Sequence, residues 1–254
     1  MKHDEENIPV LQKISPMQAV AALYGEGEEQ LACAIVESLS RRIFEGKPPR
    51  PSNLIRRGLG RFAFHVMHRT TVAETRAGPD GRPVVSYRNR ILERSGHPYA
   101  ATLLEPSRAD TASFVEGGDP MNALYMMLVP EIRRNAGKWD HIMLDAVQSR
   151  DCQWRLVWET RMTRELAARR LREGRPVRLK AVAAGAGLSM ILVLDRLLRE
   201  GHDPGLITAL ITDREAANVE KALRLLSKLP STKQRLALHT GSPHGIFLHI
   251  EDVL

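Results

Sequence analysis

The stretch that most restricts the fold of this chain lies between Val177 and Asp213. Val177 to Ala184 (VRLKAVAA) is a short apolar run that passes at once into Gly185-Ala186-Gly187. Leu188 to Arg199 follows as an apolar segment of helical length, stopped by Gly201. Leu206 to Thr212 (LITALIT) is a second strand-like run, closed by Asp213. A third cycle continues it: Ala216 to Leu229 reads as a helix ended by Pro230, and Gly245 to Ile250 (GIFLHI) as a strand closed by Glu251 and Asp252. Strands alternating with helices of this length predict a βαβαβ unit with parallel strands, the first of them buried on both faces.

The chemistry expected of such a unit sits at its strand ends. Glycines where the first strand meets the first helix allow a tight turn and let backbone approach a ligand, next to helix N–H groups without intrahelical partners. A carboxylate ending the next strand, here Asp213, is placed to accept from both ribose hydroxyls of an adenosine. Asp252, ending the third strand, is placed to meet an adenine amino group. A dinucleotide fingerprint would want glycine at position 190, where this chain has Met190, whose bulk opposes close helix–strand packing.

The run AAGAGLS (183–189) is similar instead to the first motif of class I, Rossmann-like, S-adenosylmethionine-dependent methyltransferases. Thr212 to Leu223 resembles the second motif of that family, and Glu251 to Leu254 the third. The resemblance covers about 75 residues and departs from the family at Ala183, where an acid usually opens the first motif. It implies S-adenosylmethionine as cofactor, held by Gly185, Ala186, Gly187, Asp213 and Asp252, with no catalytic residue assigned. A side chain at Gly187 is expected to fill space the cofactor needs. Family members continue with four further strands. By that measure the resemblance stops after the third, and residues 1–254 alone are expected not to turn over. The strand at 177–184 would then be an edge, to be covered by the N-terminal region or by a second copy in a homodimer.

Ahead of this half-domain (175–254) the sequence reads as a polar arm (1–14) and a mostly helical region (15–174) that would cap the site and select a small-molecule substrate. Ser15-Pro16-Met17-Gln18 is a capping box with proline at the first helical position. Leu31, Ile35, Leu39 and Ile43 make the apolar stripe of a second helix, ended by Gly46 and the proline-rich 48–51. A third helical stretch is expected from about 52 to 68, then a β-hairpin within 70–87 turning at Gly78-Pro79-Asp80-Gly81, and a long loop over 95–119. Asp119-Pro120 should open a helix reaching about Asn135, and 139–174 reads as two helices or one kinked helix. Trp139, Trp154 and Trp158, at helical spacing, are expected in its core. Tyr99 and Tyr125 stand where they could face a substrate.

Charge qualifies the partner. The formal charge is +7, and residues 41–108 hold 14 basic against 5 acidic side chains, with 8 against 2 over 161–180. Such a field favours anionic partners, so the substrate is expected to be an anionic small molecule, with nucleic acid admitted but not favoured. No apolar run reaches the length of a membrane span. The N-terminus lacks a secretory h-region, and Cys33 and Cys152 are far apart. Together these imply a cytoplasmic protein with reduced thiols. His65-x-x-His68 and His239, His244 and His249 have no carboxylate or thiolate partners at ligand spacing, so no metal is expected. Rival readings are a cofactor-binding module without turnover, an NAD-linked oxidoreductase and an arginine-led nucleic-acid binder.

Overall fold

A computed structural model of the chain describes residues 11–47, 58, 62, 65–66, 69–77, 83–89, 119–136, 141, 147–182, 184–213, 216–233, 237–242 and 245–249. Helix α1 (Pro16–Tyr24) begins on the expected capping box. The Gln18 backbone N–H donates to Ser15 Oγ at 3.2 Å and the Ser15 N–H to Gln18 Oε1 at 2.8 Å. Helix α2 (Glu29–Phe44) turns Ile35, Leu39 and Ile43 fully inward. The hairpin is present as β1 (Thr71–Ala77) paired antiparallel with β2 (Pro83–Asn89). The expected helix from Asp119 to Asn135 is two, α3 (Asp119–Met126) and α4 (Pro130–Arg133). Pro130 has no N–H to continue α3 and forces Val129 into extended backbone, φ −83° and ψ 113°. Helix α5 (Val147–Arg172) runs as one element until Gly174, which takes φ +67° to end it. The helical stretch at 52–68 and the loop at 95–119 fall largely outside the described residues.

The second half holds β3 (Val177–Val182), α6 (Leu188–Arg199), β4 (Ile207–Thr212), α7 (Ala216–Lys228), the short α8 (Pro230–Lys233), β5 (Ala237–Ser242) and β6 (Gly245–His249). Strands β3 and β4 pair in parallel from Val177 opposite Ile207 to Val182 opposite Thr212, with α6 as the crossover. The third parallel strand expected at 245–250 is not there. β6 runs antiparallel to β4, and a strand not foreseen, β5, pairs antiparallel with β6, giving the order β3-β4-β6-β5. Ser242 pairs with Gly245, so the chain reverses within two residues, and a connection that short can join only antiparallel strands. The fold is thus mixed α/β and mostly helical, with one parallel pair in its sheet.

One hydrophobic cluster spans the chain from Leu11 to Leu229, crossing residue 175 without a break. Helix α6 is its axis: Ile191, Leu192, Leu194 and Leu197 are fully buried, and the helix packs against α5, α8, α7 and α2. Long polar side chains tie helix ends across the cluster. Arg161 of α5 donates to the carbonyls of Ile43 and Gly46, closing the C-terminus of α2. Lys228 of α7 donates from Nζ to the carbonyls of Ala22, at 2.8 Å, and Gly25, at 2.6 Å, closing that of α1. Its burial holds the Lys228 amine below its ordinary value.

Strand β3 is an edge, but not one buried on both faces. Val177 is buried and Leu179 and Ala181 half-buried, while Arg178, Lys180 and Val182 are exposed, Val182 by 65%. Across its open side stand α3 and α5, separated from it by a cleft. Among the described residues no helix is long and apolar enough to cross a membrane.

Candidate functional site

The glycine turn forms as the sequence requires. Gly185 and Gly187 both take left-handed backbone, φ +56° and +66°, a conformation open to glycine at little cost. The Ala184 N–H donates to Thr212 O at 3.1 Å, fastening the end of β3 to that of β4. The Gly187 N–H donates to Ala184 O at 3.0 Å and closes the turn. Gly187 is the N-cap of α6 and gives the first helical turn no side-chain cap.

The two glycines face different surroundings. A Cβ on Gly187 would lie 3.1 Å from both terminal methyls of Ile211 and 3.7 Å from Ala222 Cβ. Gly187 therefore lets α6 seat on β4 and α7, and the expectation that its missing side chain leaves room for cofactor is corrected: the space belongs to the core. A Cβ on Gly185 would meet nothing within 4 Å. The open glycine is Gly185. Ala186 between them is buried, 3% exposed.

Asp213 is brought to the turn directly. The Gly185 N–H donates to Asp213 Oδ2 at 2.7 Å, and Asn218 Nδ2, from the first turn of α7, to Asp213 Oδ1 at 3.1 Å. The carboxylate is thereby fixed with one oxygen on the turn and one on the next helix. Asn218 is 6% exposed, and its buried Oδ1 has no hydrogen-bond partner, which puts a second acceptor beside the first. Nothing local in the sequence marks Asn218, because a helix asparagine carries no signal that it is aimed backward onto a strand end. Asp252 lies outside the described residues, as does Ala183.

On the other side of the turn is the cleft, about 680 Å³, between the β3 edge, the start of α6, α3 and α5. Gly185 and Ala186 line it, together with Leu188, Ser189 and Met190 of α6. Its far wall carries Asn122 and Tyr125 of α3 and Leu156, Glu159, Thr160 and Thr163 of α5. Arg155, Arg178 and Lys180 also border it. Burial raises the Tyr125 phenol above its ordinary value against the pull of Arg155, which donates to it. Tyr125 is therefore a neutral phenol near neutral pH, able to give a hydrogen bond and poorly suited to take a proton. Gly185 both lines the cleft and donates to Asp213.

Two tryptophans depart from expectation. Trp154 is 37% and Trp158 57% exposed on α5, so they are not core residues, and Trp139 lies outside the described residues. Cys33 and Cys152 are free thiols. Among the described residues no group of three or more His, Cys, Asp or Glu side chains is gathered as a metal site would need.

No protein-family model, no curated protein and no solved structure matches the chain.

Proposed function

We propose that the turn at 184–187 and Asp213 bind the adenosyl moiety of S-adenosylmethionine, and that the protein is a methyltransferase acting on an anionic small molecule in the adjoining cleft. The observation that carries the reading is the Gly185–Asp213 hydrogen bond, 2.7 Å, at the matched ends of two parallel strands. It joins the two features that the family resemblance implies for the cofactor, and the β3–α6–β4 unit is the Rossmann-like part of this reading. The chain's residues suit the group. The space over Gly185 is open, Asp213 is held at the end of β4 by Gly185 and Asn218, and the orphaned Asn218 Oδ1 seeks a donor such as a ribose hydroxyl.

When bound, the cofactor supplies an electrophilic methyl group on a sulfonium centre. The protein's part is to position an acceptor and exclude water. Asp213 and Asn218 would fix one end of the ligand, and Gly185, lacking a side chain, would let it pass toward the cleft. The apolar wall of Leu156, Leu188 and Val193 would keep the cleft dry. Neutral Tyr125 would orient by donating a hydrogen bond, and no general base is assigned.

Ligand-induced stabilisation tests this. Adenosylmethionine and adenosylhomocysteine at about a hundred times their dissociation constant should stabilise the fold by about 2.7 kcal/mol, with NAD and NADP inert. Met190, buried in the first turn of α6, is the reason for that exclusion. A rise in melting temperature with NAD and none with the adenosyl compounds would replace this reading by an oxidoreductase. Transfer of labelled methyl separates the enzyme from a module that binds the cofactor without turnover.

A second reading, binding of nucleic acid, is favoured by Trp154 and Trp158 exposed on an arginine-rich helix, since exposed aromatics between cations stack on bases. Affinity for single strands falling steeply as salt rises would support it.

A further inference from the structure

The cleft contains polar groups that the fold itself leaves unused. Asn122 is 5% and Thr160 1% exposed, yet Asn122 Nδ2 and Thr160 Oγ1, both buried, have no hydrogen-bond partner. Both residues line the cleft, one from α3 and one from α5. A buried donor without a partner is destabilising, so two on facing helices beside one cavity point to a ligand that supplies acceptors. Leu156 and Val193, both buried, surround them with apolar surface. Bordering the same cleft, Arg178 and Lys180 share the exposed face of β3, and their side chains make no hydrogen bond or ion pair to any described residue. Exposed cations on an edge strand also discourage strand-to-strand association. That role needs no buried donors behind them. The volume, about 680 Å³, is that of a small-molecule site rather than a surface for a macromolecule.

We infer that this cleft binds an amphiphilic organic anion: an apolar body against Leu156 and Val193, an acceptor reached by Asn122 and Thr160, and an acidic group at Arg178 and Lys180. That this anion is the methyl acceptor rests on the proposed function; the binding site itself does not.

The test is a fluorescence titration of the full chain with anilinonaphthalene sulfonate, against the uncharged phenylnaphthylamine of the same apolar body. One saturable sulfonate site per chain is expected, with the neutral probe at least about tenfold weaker, the scale of one charge-assisted hydrogen bond. Phenyl phosphate should displace the probe and inorganic phosphate should do so poorly. The double variant Arg178→Ala/Lys180→Ala, altered only at exposed positions, should erase the preference for charge. Thr160→Val should weaken the sulfonate while leaving the melting temperature unchanged or higher, because it removes an unpartnered hydroxyl; a purely structural threonine would lower it. Equal binding of the two probes, displacement by inorganic phosphate as effective as by phenyl phosphate, or an unchanged dissociation constant in these variants overturns the inference. Titration with adenosylhomocysteine on the same samples keeps the two claims apart. If it binds while the anion does not, this inference fails alone; if the anion binds while it does not, the cleft stands and the methyltransferase reading fails.

Discussion

Gly185 and Gly187 look equivalent in the sequence and are not equivalent in the molecule. Each adopts left-handed backbone, so alanine at either costs about 1–2 kcal/mol of conformational strain. At 187 the added methyl also presses on Ile211, and Gly187→Ala should lose about 2–4 kcal/mol in urea unfolding. At 185 the methyl enters open space, so Gly185→Ala should keep most of its stability and instead weaken adenosylhomocysteine by about tenfold or more. Equal stability losses in the two would show that both glycines serve packing alone. Asp213 carries a structural duty as well, through Gly185 and Asn218, so its variants should be judged on affinity and melting temperature together.

Between elements, the polar ties are the testable ones. Glu200, the C-cap residue of α6, accepts from Arg164 Nε of α5 at 3.0 Å and from Arg196 Nε at 2.6 Å, and Arg196 reaches Glu45 at the end of α2 at 2.9 Å. Burial opposes the charged form of Glu200, but the two guanidiniums outweigh it and hold the carboxyl below its ordinary value of 4.5. The unfolded chain therefore takes up that proton first as pH falls. The stabilisation is complete above the ordinary value and is lost as pH drops through the lowered one. Glu200→Gln should accordingly be less stable than wild type at neutral pH, with the gap narrowing in urea titrations once the pH falls below the ordinary carboxylate value. A gap independent of pH would mean the carboxylate's charge is not what stabilises. The elements themselves were largely legible, because the capping box at Ser15, the apolar stripe of α2 and the strand–glycine–helix run at 177–199 are local signals. The alternation Val177-Arg178-Leu179-Lys180 also showed a strand covered on one face, a signal outweighed by its apolar average. Strand β5 went unread although Gly241-Ser242-Pro243-His244-Gly245 marks a reversal between two apolar runs. The bond between Gly185 and Asp213, and the placing of Asn122 and Thr160 on one cleft, depend on packing between segments far apart in sequence, which no local pattern encodes.

At the scale of the whole molecule, the N-terminal helices and the βαβ unit share a core, with α1 and α2 packed on α7 and α5 on α6. Unfolding followed by tryptophan fluorescence, dominated by α5, should coincide with unfolding followed by far-ultraviolet circular dichroism, as one transition. Two separated transitions would mean that the halves fold apart and that the cleft between them is not fixed. Because the cleft is built from both halves, a ligand bound there should raise the midpoint of that single transition. The central claim is that an adenosyl group is held where Gly185 meets Asp213. Isothermal calorimetry with adenosylhomocysteine, on the wild-type chain and on Asp213→Ala, tests it most directly. The account expects one saturable site per chain, weakened in the variant by about 1.5–3 kcal/mol, the scale of hydrogen bonds to a charged group. A wild-type chain that gives no binding heat, or a folded variant that binds as tightly as wild type, would contradict it.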